Sequence, residues 1–419
     1  MKSKPNYLNL LKGLVRCLIL VFTISLESYC QQPADLINPG LDSFFIKIME
    51  SQRFVGIGAC LIKNNRIVWR GNYGYAELES GKRIGNESIF QLSSISKTVT
   101  AFALMELYED GLIGLDEEID NYLSFKFRNP YFPEKPITFR MLLNHTSGLA
   151  DVTSTGLVVP SKVGRPKSAI GDSEMSLENY INQLLIPGGR YYSEEYFKKS
   201  EPGTEYNYSN IGYSLLGYLV QRISETDFSG FCRKNIFGPL EMNNTGWHLR
   251  DLDTSRVMFS YSFSPNDSIP KYRKTRHFGE PGYPAGMLRT SMDDFSKFLI
   301  TLLNHGSYGD IQLLKQSTID TLLSPQHIKN MSSRSFKLID RSLCWNIIEM
   351  NGNRYFEMNG FSGSIFTDAL YSVDKGTGMI YFFSGINMKN MAAVPMIVNK
   401  LDEALNADAG SLDHIQPVK

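Results

Sequence analysis

Cysteine is scarce in this 419-residue chain: of five, only Cys60, Cys232 and Cys344 lie beyond residue 30. Three widely spaced thiols make neither a disulfide framework nor a CxxC metal pair, and their apolar surroundings read as buried free cysteines. Histidine is nearly as sparse. The six residues are scattered, with no HExxH or His-x-His pair, so no metal centre and no cofactor are expected. Net charge is absent too: 43 basic and 43 acidic residues cancel, and no basic block follows the N-terminus, which argues against a nucleic-acid partner. A Gly-x-Ser-x-Gly nucleophile elbow occurs nowhere, so the α/β-hydrolase arrangement is set aside. With 42% hydrophobic and 12% aromatic residues the chain excludes collagen, coiled coil and disorder. It has enough apolar material for a large core, as one domain with a big insertion or as two closely packed lobes.

The one long apolar run stands at the start. Lys2, Lys4, Lys12 and Arg16 precede "CLILVFTISL" (17–26), followed by a polar "ESYCQQP", the pattern of a secretory signal over residues 1–30 and too short for a comfortable membrane span. Cys30 invites the thought of lipidation, but Glu27 and Tyr29 stand where such a site takes small or aliphatic residues, and no small-x-small cleavage site is present. The expectation is an exported chain, periplasmic or extracellular, held to a membrane only through an uncleaved or lipidated N-terminus.

Beyond it, "LDSFFIKIMESQ" (41–52) has helical apolar spacing, and "GIGACLIKNNRIVWRGNYGYAEL" reads as two strands joined by the turn Asn64-Asn65. From about 97 to 305 the pattern is mainly helical. Strands return in "RSLCWNIIEM", "NRYFEM", "SIFTDALYSV" and "GMIYFFSGI", and a last helix closes at about 407. Strands at both ends with helices between them predict one sheet built from the two termini (about 35–95 and 335–400) and a helical lobe inserted in its middle (about 97–305). Residues 150–200, rich in Gly, Ser, Lys and Tyr, read as an irregular wall or lid, and 408–419 as a flexible tail.

Within "QLSSISKTVTAF" (91–102), Ser94 and Lys97 are spaced to share one helix face, about 5–6 Å apart at Cβ. A lysine there takes the serine proton if burial depresses its pKa, and the helix dipole favours negative charge near Ser94. Spacing alone is cheap: Ser-x-x-Lys recurs at Ser268-Ile-Pro-Lys271 and Ser372-Val-Asp-Lys375, neither of which opens a helix. About 110 residues on, "EPGTEYNYSNIGYSLLGYL" places Tyr208 and Asn210 just ahead of an apolar helix. A tyrosine beside an ammonium is pushed toward phenolate and acts as a base, and an asparagine amide orients a substrate amide. The bland alternative is that both residues merely cap the helix.

Six segments in order, "LSSISKTVTAFALMELYEDGLIGLDEEIDNYL", "ITFRMLLNHTSGL", "EPGTEYNYSNIGYSLLGYLVQ", "GPLEMNNTGW", "AGMLRTSMDDFSKFL" and "NGFSGSIF", make residues 35–400 resemble the serine β-lactamase and penicillin-binding protein superfamily. The likeness is to its class C β-lactamase-like branch of esterases and D-amino-acid peptidases. That resemblance implies an α/β (α+β) fold of the β-lactamase/transpeptidase kind: an antiparallel sheet from both chain ends, flanked by helices, with the inserted lobe. It implies Ser94 as acylated nucleophile, Lys97 as its base, Tyr208 as second base or proton shuttle, and Asn210 as the residue that contacts substrate and steadies Lys97. The oxyanion hole would be the backbone N–H groups of Ser94 and Phe361. His145 and Gly148 match a signature whose role looks structural.

At the third motif, where relatives carry Lys-Thr-Gly, His-x-Gly or Trp-Gly-Gly, this chain reads Met358-Asn359-Gly360, followed by Phe361. A thioether neither anchors a carboxylate nor poises the tyrosine, and Arg354 lies four residues back, about 13 Å along a strand. The expectation is a serine hydrolase acting through an acyl-enzyme on a small-molecule ester, amide or peptide, with neutral esters and amides ahead of D-amino-acid peptides and of β-lactams. The rival is a non-catalytic binding protein for peptides or peptidoglycan fragments, supported by Met358.

Overall fold

The computed structural model describes residues 38–151, 171–267, 269–328 and 336–407. The expected signal segment, the tail, the pattern at Ser268 and most of the expected wall before residue 171 lie outside the described residues.

Eight antiparallel strands form one sheet. The N-terminal part supplies β1 (Gly56–Lys63), β2 (Arg66–Glu77) and the short β3 (Lys82–Arg83). The C-terminal part supplies β4 (Lys337–Arg341), β5 (Asn346–Met350), β6 (Asn353–Ser362), β7 (Ile365–Ser372) and β8 (Thr377–Ser384). Their spatial order is β4-β5-β6-β7-β8-β1-β2-β3, so the two halves of the chain meet where β8 pairs with β1, Gly56 opposite Ser384. The sheet is built from both ends, as the strand pattern predicts. Asn64 and Asn65 turn β1 into β2 with φ of 53° and 59°, the left-handed pair that a two-residue hairpin requires.

Both sheet faces are covered. On one, α1 (Pro39–Gln52) starts at Asn38, whose side chain accepts from the Leu41 N–H (3.1 Å), and buries Leu41, Phe45 and Ile48 at helical spacing. Phe45 stacks on Trp69 and Tyr73 of β2. On the other face, Cys60, Ile62, Ala369 and Phe382 join the core of the helical lobe. At the centre of that lobe is α2 (Ser96–Glu109), in which every residue from Ser96 to Met105 is buried. Beside it runs α3 (Asn210–Ser224). No helix among the described residues is long and apolar enough to cross a membrane.

Two local expectations fail. The wall expected to be irregular contains a helix, Leu177–Leu185, capped by Ser176 and burying Leu177, Tyr180, Ile181, Leu184 and Leu185. Its apolar stripe is helical in period but short, and the Gly- and Lys-rich flanks obscure it. "RSLCWNIIEM" is two strands, not one: Arg341 pairs with Asn346, and the Ser342 hydroxyl accepts from the Trp345 N–H (3.0 Å) to close a tight turn between them.

Candidate active site

Ser94 lies in a single 3-10 turn, Ser93–Ile95, that leads into α2. Ser93 before it holds φ of 51°, an uncommon conformation for a side-chain-bearing residue. Ser94 caps nothing: neither the turn nor α2 has a side-chain cap bond. Its Oγ instead lies 2.6 Å from the Tyr208 hydroxyl. The strand β6 packs directly on this turn. A Cβ on Gly360 would stand 2.4 Å from the Leu92 carbonyl oxygen and 2.9 Å from the Ser93 Cβ, so only glycine admits the approach. Thr367 of β7 donates to the same Leu92 carbonyl (2.7 Å), tying sheet to turn.

Lys97, the second residue of α2, is completely buried. Its Nζ donates to the Ala285 carbonyl (2.5 Å), to Asn210 Oδ1 (2.6 Å) and, at 3.4 Å, toward Ser94 Oγ. It also lies 4.9 Å from the centre of the Tyr208 ring and 5.7 Å from that of Tyr213. Burial pushes its pKa down to about 7; the charge of Asp151 opposes that fall and the charge of Arg341 adds to it. Near neutral pH a large share of Lys97 is therefore free amine, close enough to accept the Ser94 proton.

Tyr208 and Asn210 are not helix caps. Ser209, between them, is the cap, its Oγ accepting from the Gly212 N–H (3.0 Å). Its flanking neighbours are thereby turned toward Lys97. Tyr208 keeps 36% of its surface, yet desolvation of its phenol drives its pKa upward, with the Ser94 hydrogen bond only partly opposing this. The expected shift toward phenolate is thus reversed. Burial of the phenol outweighs the Ser94 hydrogen bond and the Arg341 charge that pull the other way, and Tyr208 is a neutral phenol suited to passing protons on.

Asp151 is the residue that sequence reasoning missed. Its carboxylate accepts from the Asn210 backbone N–H through both oxygens (2.8 Å each), from the Ile211 N–H (3.3 Å), and from the Asn210 side-chain amide. Seated at the start of α3, it fixes the Asn210 amide so that the carbonyl end faces Lys97. Burial raises its own pKa, while the Asn210 N–H and the Lys97 charge pull it back. Its only signal in the sequence is an acid placed directly after the buried "HTSGLA". His145, read as structural, is buried, its Nδ1 accepting from the Ser209 N–H (3.1 Å), and burial pushes its pKa well down.

A cavity of about 210 Å³ opens at Ser94, lined also by Asn210, Asp151, Glu280, Phe361 and Ser362. A second, of about 330 Å³, adjoins it through Gln91 and Ser362 and includes Arg276 and Arg289 in its wall. Of the third segment, Phe361 reaches the first cavity, 49% exposed, and Gly360 backs the turn. Met358 and Asn359 line neither cavity, contrary to their expected substrate contact. Met358 is packed in the core between sheet and lobe. Asn359 lies on the opposite strand face, donating to Glu357. Arg354, on the rim of the sheet, pairs with Asp374 (3.5 Å) and takes no part in the site. Among the described residues no cluster of His, Cys, Asp and Glu could hold a metal ion.

Among known families, the beta-lactamase family profile matches residues 41–385. The chain belongs to the beta-lactamase family. It is 30% identical over 217 residues to "Penicillin-binding protein 4*" of Bacillus subtilis, covering 52% of this chain and 43% of that protein. It is also 30% identical over 296 residues to "Beta-lactamase-like protein 4" of Dictyostelium discoideum, covering 66% and 48%. The chain thus spans somewhat under half the length of these curated relatives. Among solved structures, the D-amino acid amidase of Ochrobactrum anthropi SV3 superposes with a TM-score of 0.69 at 19% identity, over 90% of this chain and 99% of that one. The octameric penicillin-binding protein homologue of Pyrococcus abyssi gives 0.66 at 21%, over 88% and 79%.

Proposed function

We propose that this member of the beta-lactamase family is a serine hydrolase that forms an acyl-enzyme at Ser94 on a neutral ester or amide. One observation carries the reading: the Ser94 hydroxyl, unused by its helix, is bonded to Tyr208 and faces a buried Lys97 whose pKa is about 7.

In acylation, Ser94 Oγ bonds to the carbonyl carbon while its proton passes to neutral Lys97, directly or through the Tyr208 hydroxyl. The carbonyl oxygen takes up negative charge opposite the Ser94 and Phe361 N–H groups. As the bond to the leaving oxygen or nitrogen breaks, Tyr208 gives that atom its proton and is resupplied by Lys97. In deacylation a water gives up its proton along the same path, its oxygen bonds to the acyl carbon, and the Oγ–carbon bond breaks with the proton returned to Ser94. Asn210 holds Lys97 throughout, and Asp151 holds Asn210. The lining of the first cavity, whose charged side chains, Asp151 and Glu280, are acids, supports the neutral class. A free carboxylate next to the scissile bond would meet them unfavourably, so β-lactams and D-alanyl ends fit less well than neutral acyl groups.

Exposure to a fluorophosphonate followed by intact-mass measurement tests this. A single adduct is expected on the unmutated chain and none on Ser94→Ala, with a stability change within about 0.5 kcal/mol. Adducts of equal yield on both would remove Ser94 from its role. None on either would favour the binding-protein reading that Met358 supports.

A further inference from the structure

The third motif carries no charge, yet the site is not without a cation beyond Lys97. Arg341, the last residue of β4, is 2% exposed. One Nη donates to Asn346 Oδ1 (2.6 Å), the other to the Cys344 carbonyl (2.7 Å), and Nε has no partner. None of its nitrogens contacts a carboxylate among the described residues. Glu357 is reached only through Asn346, whose amide donates to it (2.6 Å). A buried guanidinium without a direct counter-ion is costly, and an apolar side chain of similar volume would pack there more cheaply.

Its location gives the cost a use. The guanidinium lies 5.1 Å from the Tyr206 ring centre. Tyr206, Tyr208 and Tyr213 surround His145 at 5.7, 4.7 and 5.0 Å between ring centres, and Lys97 sits against the Tyr208 and Tyr213 rings. Both cations thus touch rings of one buried cluster, where repulsion is poorly screened. The other titratable groups facing them are Asp151 and Cys344 beside Lys97, and Glu357, Cys344 and the three tyrosines around Arg341. Of these Asp151 and, less strongly, Cys344 favour the ammonium; Arg341 opposes it, and acts in the same sense on His145 and Tyr208.

We propose that Arg341 is a positioning charge for the Ser94 reaction: through the ring cluster that both cations touch it favours the free amine of Lys97, an electrostatic role for which the Met358 position supplies no basic residue. Because it lines neither cavity, it tunes the base without attracting a substrate carboxylate. The inference rests on the hydrolase reading above.

The experiment is the pH dependence of fluorophosphonate labelling for the unmutated chain, Arg341→Met, Arg341→Gln and Arg341→Lys. The unmutated rate is expected to rise through a midpoint near 7. Arg341→Met moves that midpoint up by about one pH unit, a roughly tenfold slower reaction at pH 6 with an unchanged plateau above pH 9. Arg341→Lys stays within a few tenths of a unit of the unmutated midpoint. Should Arg341→Met not fold, as judged by circular dichroism, Arg341→Gln, which keeps a donor for Asn346 or Cys344, carries the same expectation. An unmoved midpoint in the neutral variants, or an equal displacement in Arg341→Lys, overturns the proposal while leaving the hydrolase reading intact. Absence of labelling in the unmutated chain overturns that reading, and this proposal with it.

Discussion

At the scale of single residues, the site depends on groups that hold one another in place. Lys97 has three acceptors for an ammonium's three donors, so its orientation is set whichever way its proton equilibrium lies. Asn210 presents a carbonyl to Lys97 only because its amide end is occupied by Asp151. Asp151→Asn is therefore expected to have two separable effects on fluorophosphonate labelling. Release of Asn210 lowers the plateau about 10- to 100-fold. Loss of the carboxylate charge, which favours the ammonium, moves the pH midpoint downward, opposite to Arg341→Met. A lower plateau at an unchanged midpoint would mean that Asp151 orients Asn210 without acting on Lys97.

Two elements decide whether Ser94 is presented at all: the 3-10 turn and the strand β6 pressed against it. Chain alternation places Met358 and Gly360 on the lobe side and Asn359 on the far side, so one strand supplies core, close contact and a cavity wall at successive positions. Gly360→Ala drives a Cβ into the Leu92 carbonyl, a backbone atom that cannot swing aside. We expect a loss of about 1–3 kcal/mol in urea unfolding, with labelling of Ser94 reduced well beyond what the unfolded fraction explains. Unchanged labelling would show that the turn tolerates displacement. Element boundaries were less legible than element types. The helix Leu177–Leu185 and the turn at Ser342–Trp345 both depend on short local patterns, a five-residue apolar stripe and one serine hydroxyl, that longer-range composition obscures.

For the molecule as a whole, Lys97 is a liability to stability. Its pKa falls from the ordinary 10.5 to about 7 on folding, so between these values the unfolded chain binds more protons than the folded one, and stability rises with pH across that window. Below pH 7 the folded protein holds a buried ammonium, at a cost on the order of 4 kcal/mol relative to a solvated one. Lys97→Met is accordingly expected to abolish labelling and to raise Tm at pH 6, with the gain shrinking toward pH 9, as calorimetry at the two pH values would read. An equal gain at both would contradict a depressed Lys97 pKa.

Sequence alone determined the sheet from both chain ends, the inserted helical lobe, the family, and the four side chains Ser94, Lys97, Tyr208 and Asn210 that the fold gathers. Apolar period and ordered segments are local properties, and the Ser94–Lys97 spacing, across the turn into α2, follows from helical geometry. Tertiary structure decided what surrounds them. Asp151 and Arg341 carry no motif, and they act through space on groups 54 and 244 positions away in the chain, because desolvation in the lobe makes each buried charge felt across the rings. The direction of the Tyr208 shift was likewise beyond sequence: it is set by burial of the phenol in the folded chain. Met358 shows the same limit, since the missing charge was visible in the chain, while its neighbours in space were not.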